Sequence, residues 1–267
     1  MSMAFPFPNK FDSGRAAFIA LLASVLAASS SAQAPTTPRI QPVLVELFTS
    51  EGCSDCPPAD VLLARLDATQ FVPGAHVIVL SEHVTYWDRL GWRDPFSLDS
   101  VTARQEKYRQ TFGLSDVYTP QMVVDGAEQL VGSDSSALAR AVVHAASTPK
   151  ANLDLENPQW KNGVVDFAVR VPAGAKGSLV AVLAQNAAHS QVVRGENAGR
   201  TLHHVAVARV LKDFGEGSAD GRALQLPADH SSIGVKIEGP LRLIVFLVNP
   251  GNGHVLAVGE QTLNPPA

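Results

Sequence analysis

The sequence predicts an α/β domain with a mixed central sheet flanked by helices, followed by an all-β antiparallel sandwich-like domain. Strand and helix patterns over residues 43–149 follow the order β-α-β-α-β-β-α, which is typical of an α/β domain. From about residue 150 the helical patterns cease, and short strands follow one another, separated by Gly, Pro, Asn and Asp. We therefore place the two domains at residues 43–149 and 150–267.

Composition and charge narrow the functional classes. The chain has 267 residues, of which 46% are apolar, and a net charge of -4 at pH 7. This length allows one large domain or two ordinary ones. The acidic balance argues against nucleic acid as a partner, and the sequence has no basic run suited to an anionic membrane surface.

The N-terminal residues 1–34 are typical of a signal peptide. Ala16–Ala28 forms an apolar core that is too short to span a bilayer, and Ala32-Gln33-Ala34 fits the small-x-small cleavage pattern. An uncleaved anchor or a disordered tail is the alternative. A Pro/Thr-containing linker, residues 35–42, follows. We expect a periplasmic or secreted protein with no membrane span after removal of the signal.

The only two cysteines, Cys53 and Cys56, lie between a predicted strand and a predicted helix. Val43–Phe48 is an apolar run suited to a buried strand, and Ala59–Leu66 carries apolar residues at helical spacing. The thiols would then lie at a helix N-terminus, where free N–H groups and the helix dipole favour a thiolate. Because proline is tolerated only in the first helical turn, Pro57-Pro58 predicts a helix that starts close to Cys56, or at Cys53 with a kink.

A Cys-x-x-Cys motif occurs in redox sites, zinc sites and small structural disulfides. A tetrahedral zinc site normally needs four protein ligands, and there is no second cysteine pair. A disulfide across so few residues gains little loop-closure entropy, which argues against a purely structural role. We therefore favour a redox pair. A structural disulfide, and copper or zinc binding by Cys53, Cys56 and His83, remain alternatives, and we expect no resident cofactor or metal.

Between the second predicted strand and the second predicted helix lies an aromatic segment, residues 83–96. Its Tyr86, Trp87 and Trp92 are candidates for a platform that contacts substrate beside the thiols, and a packed local core is the alternative. The further elements predicted for this domain are the strands Ala75–Ser81, Met122–Val124 and Gln129–Val131 and the helices Leu98–Phe112 and Ser133–Ala146.

The second half of the chain contains seven predicted strands and one dense polar segment. The strands are Val164–Val171, Leu179–Leu183, His203–Leu211, Arg222–Leu226, Gly234–Glu238, Leu241–Val248 and His254–Thr262. The polar cluster consists of Arg194, Glu196, Asn197 and His203, with Arg200 and His204 beside them. It is a candidate for contact with the first domain or with a ligand, and ordinary loop solvation is the alternative.

The element order, the Cys-x-x-Cys motif and a Thr119-Pro120 pair before the third strand together resemble the thioredoxin fold. More narrowly, the chain resembles a secreted bacterial thioredoxin-like family of unknown function. The stretches that carry this resemblance are residues 45–60, 83–96, 117–126 and 193–203. The resemblance implies a cis bond before Pro120 and a substrate-positioning role for Thr119 and Pro120.

This sequence departs from the reducing thioredoxins at the motif itself. Gly52 precedes the motif where they carry Trp, and Ser54-Asp55 lies inside it where they carry Gly-Pro. Glu46 is the best candidate for the buried acid of those proteins, although it is equally compatible with a salt-bridged or edge-exposed residue. His83 is a candidate for tuning the thiolate as a nearby imidazolium, or is structural.

These observations favour thiol–disulfide exchange. Cys53, expected at an exposed turn, would be the nucleophile, and Cys56 would resolve the mixed disulfide. The partner would be a protein or small-molecule thiol or disulfide. A non-catalytic binding module with a structural disulfide is the alternative, as is copper or zinc handling by the same cysteines. No phosphate-binding loop, nucleophile elbow or His-Glu-x-x-His is present, which disfavours nucleotide-binding and hydrolase functions.

Overall fold

The computed structural model of the chain describes residues 40–171, 175–216, 220–221, 223–228 and 239–264. These residues form three α-helices and twelve β-strands. The helices are Pro57–Thr69 (α1), Asp99–Thr111 (α2) and Ser135–Ser147 (α3). The strands are Gln41–Thr49 (β1), Ala75–His83 (β2), Gln121–Val124 (β3), Glu128–Val131 (β4), Ala151–Asn152 (β5), Asp154–Lys161 (β6), Val164–Arg170 (β7), Ser178–Gln191 (β8), Thr201–Glu216 (β9), Ala223–Pro227 (β10), Leu241–Val248 (β11) and Val255–Leu263 (β12). The predicted signal peptide and the predicted strand Gly234–Glu238 lie outside the described residues.

The strands form one large mixed sheet and one small sheet. The large sheet has nine strands in the order β4-β3-β1-β2-β9-β8-β11-β12-β5, and the small one has the order β10-β7-β6. Strands from both sides of residue 150 therefore belong to the same sheet, joined where β2 runs parallel to β9 with Ser81 opposite Val207.

The predicted fold class is wrong. The described chain is mostly β, and its nine-stranded mixed sheet is neither a helix-flanked α/β domain of the thioredoxin type nor a separate β-sandwich. The local elements of residues 41–147 do follow the predicted order β-α-β-α-β-β-α. The error arises because periodicity reports which residues form a strand but not which strand lies next to it. The pairing of β2 with β9 cannot be read from the hydrophobic pattern of either strand.

The strands of the second half extend further than their apolar runs indicate. β8 has 14 residues and β9 has 16, and they pair antiparallel from Ser178/Glu216 to Gln191/Thr201. Their polar ends reach the loop region of the first half. β6 was missed altogether, because its Asp, Glu, Asn, Pro and Lys residues give no strand signal and its burial alternates weakly.

The core is continuous between the two halves. One apolar cluster contains Val43 and Leu63 from the first half together with Phe246 from the second. A second cluster, confined to the second half, contains Leu243 and Val245. Because successive strand residues point to opposite faces, β11 contributes to both clusters and is buried on both sides. Its nearly uninterrupted apolar sequence follows from that position.

The cysteine motif lies between β1 and α1. β1 is fully buried, and Cys56 is the N-cap residue of α1, whose first two positions are Pro57 and Pro58. The helix therefore begins next to Cys56, as the prolines predict. The missing proline N–H groups cost nothing here, since N–H groups of the first turn have no partner within the helix.

Candidate functional site

Cys53 and Cys56 form a disulfide, with their Cα atoms 5.4 Å apart. Cys53 is only 2% exposed and Cys56 is fully buried. The expectation that Cys53 lies at an exposed turn is therefore wrong. The exposed residues are the two between the cysteines, Ser54 and Asp55.

The peptide bond between Thr119 and Pro120 is cis, as the resemblance implied. The Sγ atom of Cys53 lies 3.9 Å from the carbonyl oxygen of Thr119. The Thr119 hydroxyl accepts a hydrogen bond of 2.8 Å from Nε1 of Trp87. The structure thus brings together three of the predicted site residues, Cys53, Thr119 and Trp87, although residues 53 and 119 are far apart in sequence.

The aromatic segment packs directly on the motif loop. A Cβ atom added at Gly52 would lie 3.2 Å from Cβ of Trp87, which shows how closely the two segments approach. Trp92 donates from Nε1 to Oε2 of Glu51 at 2.8 Å. Tyr86, Trp87 and Trp92 are all partly buried, and burial raises the pKa of Tyr86 to about 12. Contact of these rings with a substrate remains a prediction.

Glu51, to which the sequence analysis gave no role, is the centre of the site. Its side chain is fully buried and accepts hydrogen bonds from Trp92, from Ser190 on β8 and from His204 on β9. Its backbone N–H donates to Oδ2 of Asp94 at 2.8 Å. One carboxylate therefore joins the motif loop, the aromatic segment and the second half of the chain. The available sequence signal was an acid two residues before Cys53.

His204 lies between two buried carboxylates. Its Nε2 is 3.2 Å from Oε1 of Glu51, and its Nδ1 is 3.7 Å from Oδ1 of Asp60. Burial by itself lowers the pKa of His204, but the carboxylates of Asp60 and Glu51 outweigh this effect and raise it to about 10. Thr49 also donates to Asp60, at 3.0 Å. His204 is therefore a buried imidazolium beneath the motif.

The predicted cluster member His203 points the other way. Adjacent strand residues face opposite sides of a sheet, so His204 is buried while His203 is exposed and stacks on His189, with the ring centroids 5.8 Å apart. Both histidines belong to the polar segment predicted from the sequence, and His204 is the one that faces the site.

His83 belongs to the same buried group. Its Nδ1 lies 2.7 Å from Oδ2 of Asp94, and its ring centroid lies 4.6 Å from that of His204. Burial by itself raises the pKa of Asp94, but His83 outweighs this effect and holds it below the usual value. His83, the residue predicted to tune the thiolate, is therefore in direct ring contact with His204. Its effect on the cysteines remains a prediction.

The polar cluster of the second half contacts the cysteine motif. Asn197 is fully buried, and its Nδ2 donates to the carbonyl oxygens of Glu51 at 2.9 Å and of Cys53 at 2.8 Å. Oε2 of Glu196 accepts from the backbone N–H of Ser54 at 3.0 Å, and hydrogen bonding with the side chain and then the backbone of Ser54 lowers the pKa of Glu196. Arg194, the remaining member, is exposed. We call residues 192–200 the cover loop.

Glu46 lies in a different buried cluster, on the α2 side of β1. It accepts from Nε of Arg104 at 2.5 Å and from the hydroxyl of Tyr108 at 2.6 Å. Burial, reinforced by the charge of Glu46, raises the pKa of the neighbouring Glu82 well above its usual value. The salt-bridged alternative considered for Glu46 is therefore the observed one.

The described residues offer neither a metal site nor a membrane-spanning helix. No group of three or more His, Cys, Asp or Glu side chains within them is arranged to hold a metal ion. No helix in the described ranges is long and apolar enough to cross a membrane.

Comparison with known proteins places the chain in a family. Residues 44–246 match the family described as "Protein of unknown function (DUF1223)". The chain belongs to this family. The match covers the whole site, from β1 to β11. The family has no assigned reaction. Its description does not extend to the secreted, thioredoxin-like character that the resemblance implied.

The search of solved structures gives this DUF1223 protein a structural relative. Protein AGR_C_4864 from Agrobacterium tumefaciens, a crystal structure, aligns with a TM-score of 0.61 at 23% identity, covering 83% of this chain and 93% of that chain. At this identity the similarity concerns the fold alone. Pectate lyase Pel3 from Pectobacterium carotovorum aligns with a TM-score of 0.24 at 13% identity, over 43% of this chain and 27% of that chain, and carries no argument. No curated protein matches the sequence.

Proposed function

We propose that this DUF1223 protein is an exported thiol–disulfide oxidoreductase that uses the Cys53–Cys56 pair. The observation that carries the proposal is the group of five buried ionisable side chains joined to the motif. They are Glu51, Asp60, His83, Asp94 and His204. Burying so many ionisable groups costs desolvation free energy. A disulfide that only closed a short loop would not require these groups around it. Such groups are typical of functional sites.

The chemistry is a balanced two-electron exchange. In the reduced protein the Cys53 thiolate attacks one sulfur of a partner disulfide, forms a Cys53–partner bond and releases the other partner sulfur as a thiolate. The Cys56 thiolate then attacks Sγ of Cys53 and displaces the second partner sulfur. The pair is oxidised to the disulfide, the partner is reduced to two thiols, and two protons pass from the cysteines to the products. A second thiol or disulfide couple returns the pair to its starting state.

Exchange requires partial opening of the site, because Cys53 is only 2% exposed. The cover loop and the aromatic segment are the parts that lie on the motif, and the cover loop holds it through hydrogen bonds of Glu196 and Asn197. Loops with few buried contacts open at lower cost than core strands. The proposed export agrees with this chemistry, since a disulfide persists outside the reducing cytosol.

Trapping of the mixed disulfide tests the proposal. In Cys56→Ser the nucleophile remains but the resolving thiol is lost, so reaction with neutral hydroxyethyl disulfide should leave a stable adduct on Cys53. Cys53→Ser retains only the fully buried thiol, and its reaction should be slower by at least about tenfold. Mass spectrometry of the intact protein measures both rates. Equal and very slow rates in the two variants would contradict the proposal.

A specific observation also supports a second function, a binding module with a permanently closed disulfide. Both sulfurs are buried, and residues of the cover loop bond to the backbone on either side of Cys53. In that case wild-type protein would resist reduction under conditions that reduce ordinary exchange catalysts. The trapping variants would then react only after unfolding.

A further inference from the structure

We propose that the substrate of the Cys53–Cys56 pair is an anionic, carboxylate-bearing disulfide, selected by arginines around the motif. This inference rests on the proposed exchange function. The arginines lie on the aromatic segment and on the cover loop, and we call them the arginine rim: Arg89, Arg93, Arg194 and Arg200. All four are exposed.

On the aromatic segment, Arg89 and Arg93 lie within two residues of side chains that contact the motif loop. Arg89 is two residues from Trp87, whose Cβ lies against Gly52. Arg93 lies between Trp92, which donates to the Glu51 carboxylate, and Asp94, which accepts from the Glu51 backbone N–H. Since consecutive Cα atoms are about 3.8 Å apart, the backbone of each arginine is held close to a residue that contacts the motif loop.

On the cover loop, the same relation holds for Arg194 and Arg200. Arg194 is two residues from Glu196, which accepts from the Ser54 N–H. Arg200 donates from Nη1 to Oδ1 of Asn197 at 2.8 Å, and Asn197 in turn donates to the Cys53 carbonyl. The arginine rim therefore approaches the disulfide from two separate segments.

The two segments meet at a pair of glycines. A Cβ atom added at Gly91 would lie 3.6 Å from Cα of Gly195, and one added at Gly195 would lie 3.2 Å from Cβ of Trp92. Both glycines have positive φ values, 110° and 78°, and Gly91 is flanked by Arg89 and Arg93. This close approach brings together the two chain segments that carry the arginines.

No arginine of the rim forms an ion pair with a carboxylate in the described part of the chain, whereas four other arginines do. Those are Arg104, Arg109, Arg170 and Arg242. A guanidinium without a carboxylate partner is available for bidentate binding of a substrate carboxylate. In a chain with a net charge of -4, four exposed arginines lie on the segments around the redox motif, where the exposed acids are Asp55 and Glu196.

The acidic groups near the rim are already engaged. Glu196 accepts from the Ser54 N–H, and Asp88 accepts from the Ser97 hydroxyl and the Asp94 N–H. The acids beneath the motif are buried, and Glu51 and Asp94 bond to His204 and His83. Asp55 is exposed and is the one acid within the motif itself. Of the charged side chains exposed on these segments, four are guanidinium groups and two, those of Asp55 and Glu196, are carboxylates.

Three small disulfides that differ in charge test the inference on reduced, full-length protein. The probes are dithiodiglycolate, with two carboxylates, neutral hydroxyethyl disulfide, and cystamine, with two ammonium groups. Each rate is divided by the rate of the same probe with free dithiothreitol, which removes the intrinsic reactivity of the probe. We expect the normalised rate of the anion to exceed that of the cation about tenfold at low salt. The difference should shrink at about 1 M salt, because screening is then effective over about 3 Å.

Charge reversal with a matched control completes the test. The double variant Arg89→Glu/Arg194→Glu should lower the anion-to-cation ratio about tenfold. The control Arg140→Glu/Lys161→Glu changes the net charge equally at exposed positions outside the two segments and should keep the wild-type ratio. Equal normalised rates for the three probes, or equal effects of the two double variants, would overturn the inference and leave exchange intact. Reaction with none of the probes would overturn the proposed function and the inference with it.

Discussion

At the scale of single residues, His204 couples the site to pH. Its pKa rises from 6.5 to about 10 because Glu51 and Asp60 lie on either side of it. The folded protein therefore holds this proton more tightly than the unfolded chain does. The resulting stabilisation is fully present below pH 6.5 and is lost as the pH rises through about 10.

His204→Gln tests this coupling. We expect the free energy of unfolding of the wild-type protein to fall between pH 6.5 and about 10, and we expect the variant to lose this component of the slope. Urea denaturation of the oxidised protein over that range measures it. His203→Gln is the matched control, since His203 is the exposed neighbour on the same strand. An unchanged slope in His204→Gln would show that the imidazolium does not stabilise the fold.

Asn197 is the second residue whose role can be measured directly. Asn197→Ala removes the donor to the carbonyls of Glu51 and Cys53, and leaving such groups unpaired costs about 1–3 kcal/mol. We expect that loss of stability together with faster reduction of the disulfide by dithiothreitol. Arg194→Ala, in the same loop, should change stability by no more than about 0.5 kcal/mol. Similar behaviour of the two variants would mean that the cover loop does not hold the motif closed.

At the scale of elements, the end of β4 holds three parts of the site together. The Gly132 N–H donates to the carbonyl oxygen of Pro120 at 2.9 Å. A Cβ atom at Gly132 would lie 3.0 Å from Leu47 on β1, 3.0 Å from Pro120 and 3.1 Å from Ala59 on α1. Glycine is required here by this close approach, since any side chain would have to displace these neighbours.

Gly132→Ala should therefore separate β1, α1 and the segment before β3. Overpacking of this kind costs about 1–3 kcal/mol. The urea midpoint of the variant measures the effect. Gly251→Ala is the control, because the nearest atom to an added Cβ there is 3.3 Å away, on the side chain of Asn249. A midpoint for Gly132→Ala that equals that of the control would contradict the predicted crowding.

The secondary-structure elements and the cysteine motif could largely be predicted from the sequence. The contacts between distant segments could not. Apolar periodicity located β1, α1, β2 and α2, and the resemblance carried in part by Thr119-Pro120 implied the cis bond. Glu51 and His204 are separated by 153 residues, so no local pattern joins them. The side of β9 that faces the site depends on its register, and one residue exchanges His203 for His204.

At the scale of the whole molecule, the nine-stranded sheet and the apolar cluster shared by the two halves predict one unfolding transition. In Trp160→Phe the remaining tryptophans, Trp87 and Trp92, contact Gly52 and Glu51 of the motif loop, so their fluorescence reports the site. Circular dichroism reports the strands of both halves. We expect the two urea midpoints to coincide. Separate midpoints would show that the halves of the chain unfold independently.

The reduction potential of the Cys53–Cys56 pair tests the central claim most directly. It is measured by equilibrating the full-length protein with glutathione or dithiothreitol buffers and quantifying free thiols after acid quenching. Exchange chemistry predicts a potential between about -120 and -270 mV, the range of known exchange catalysts. A potential below about -300 mV would contradict the account, because the disulfide would then be a permanent structural bond.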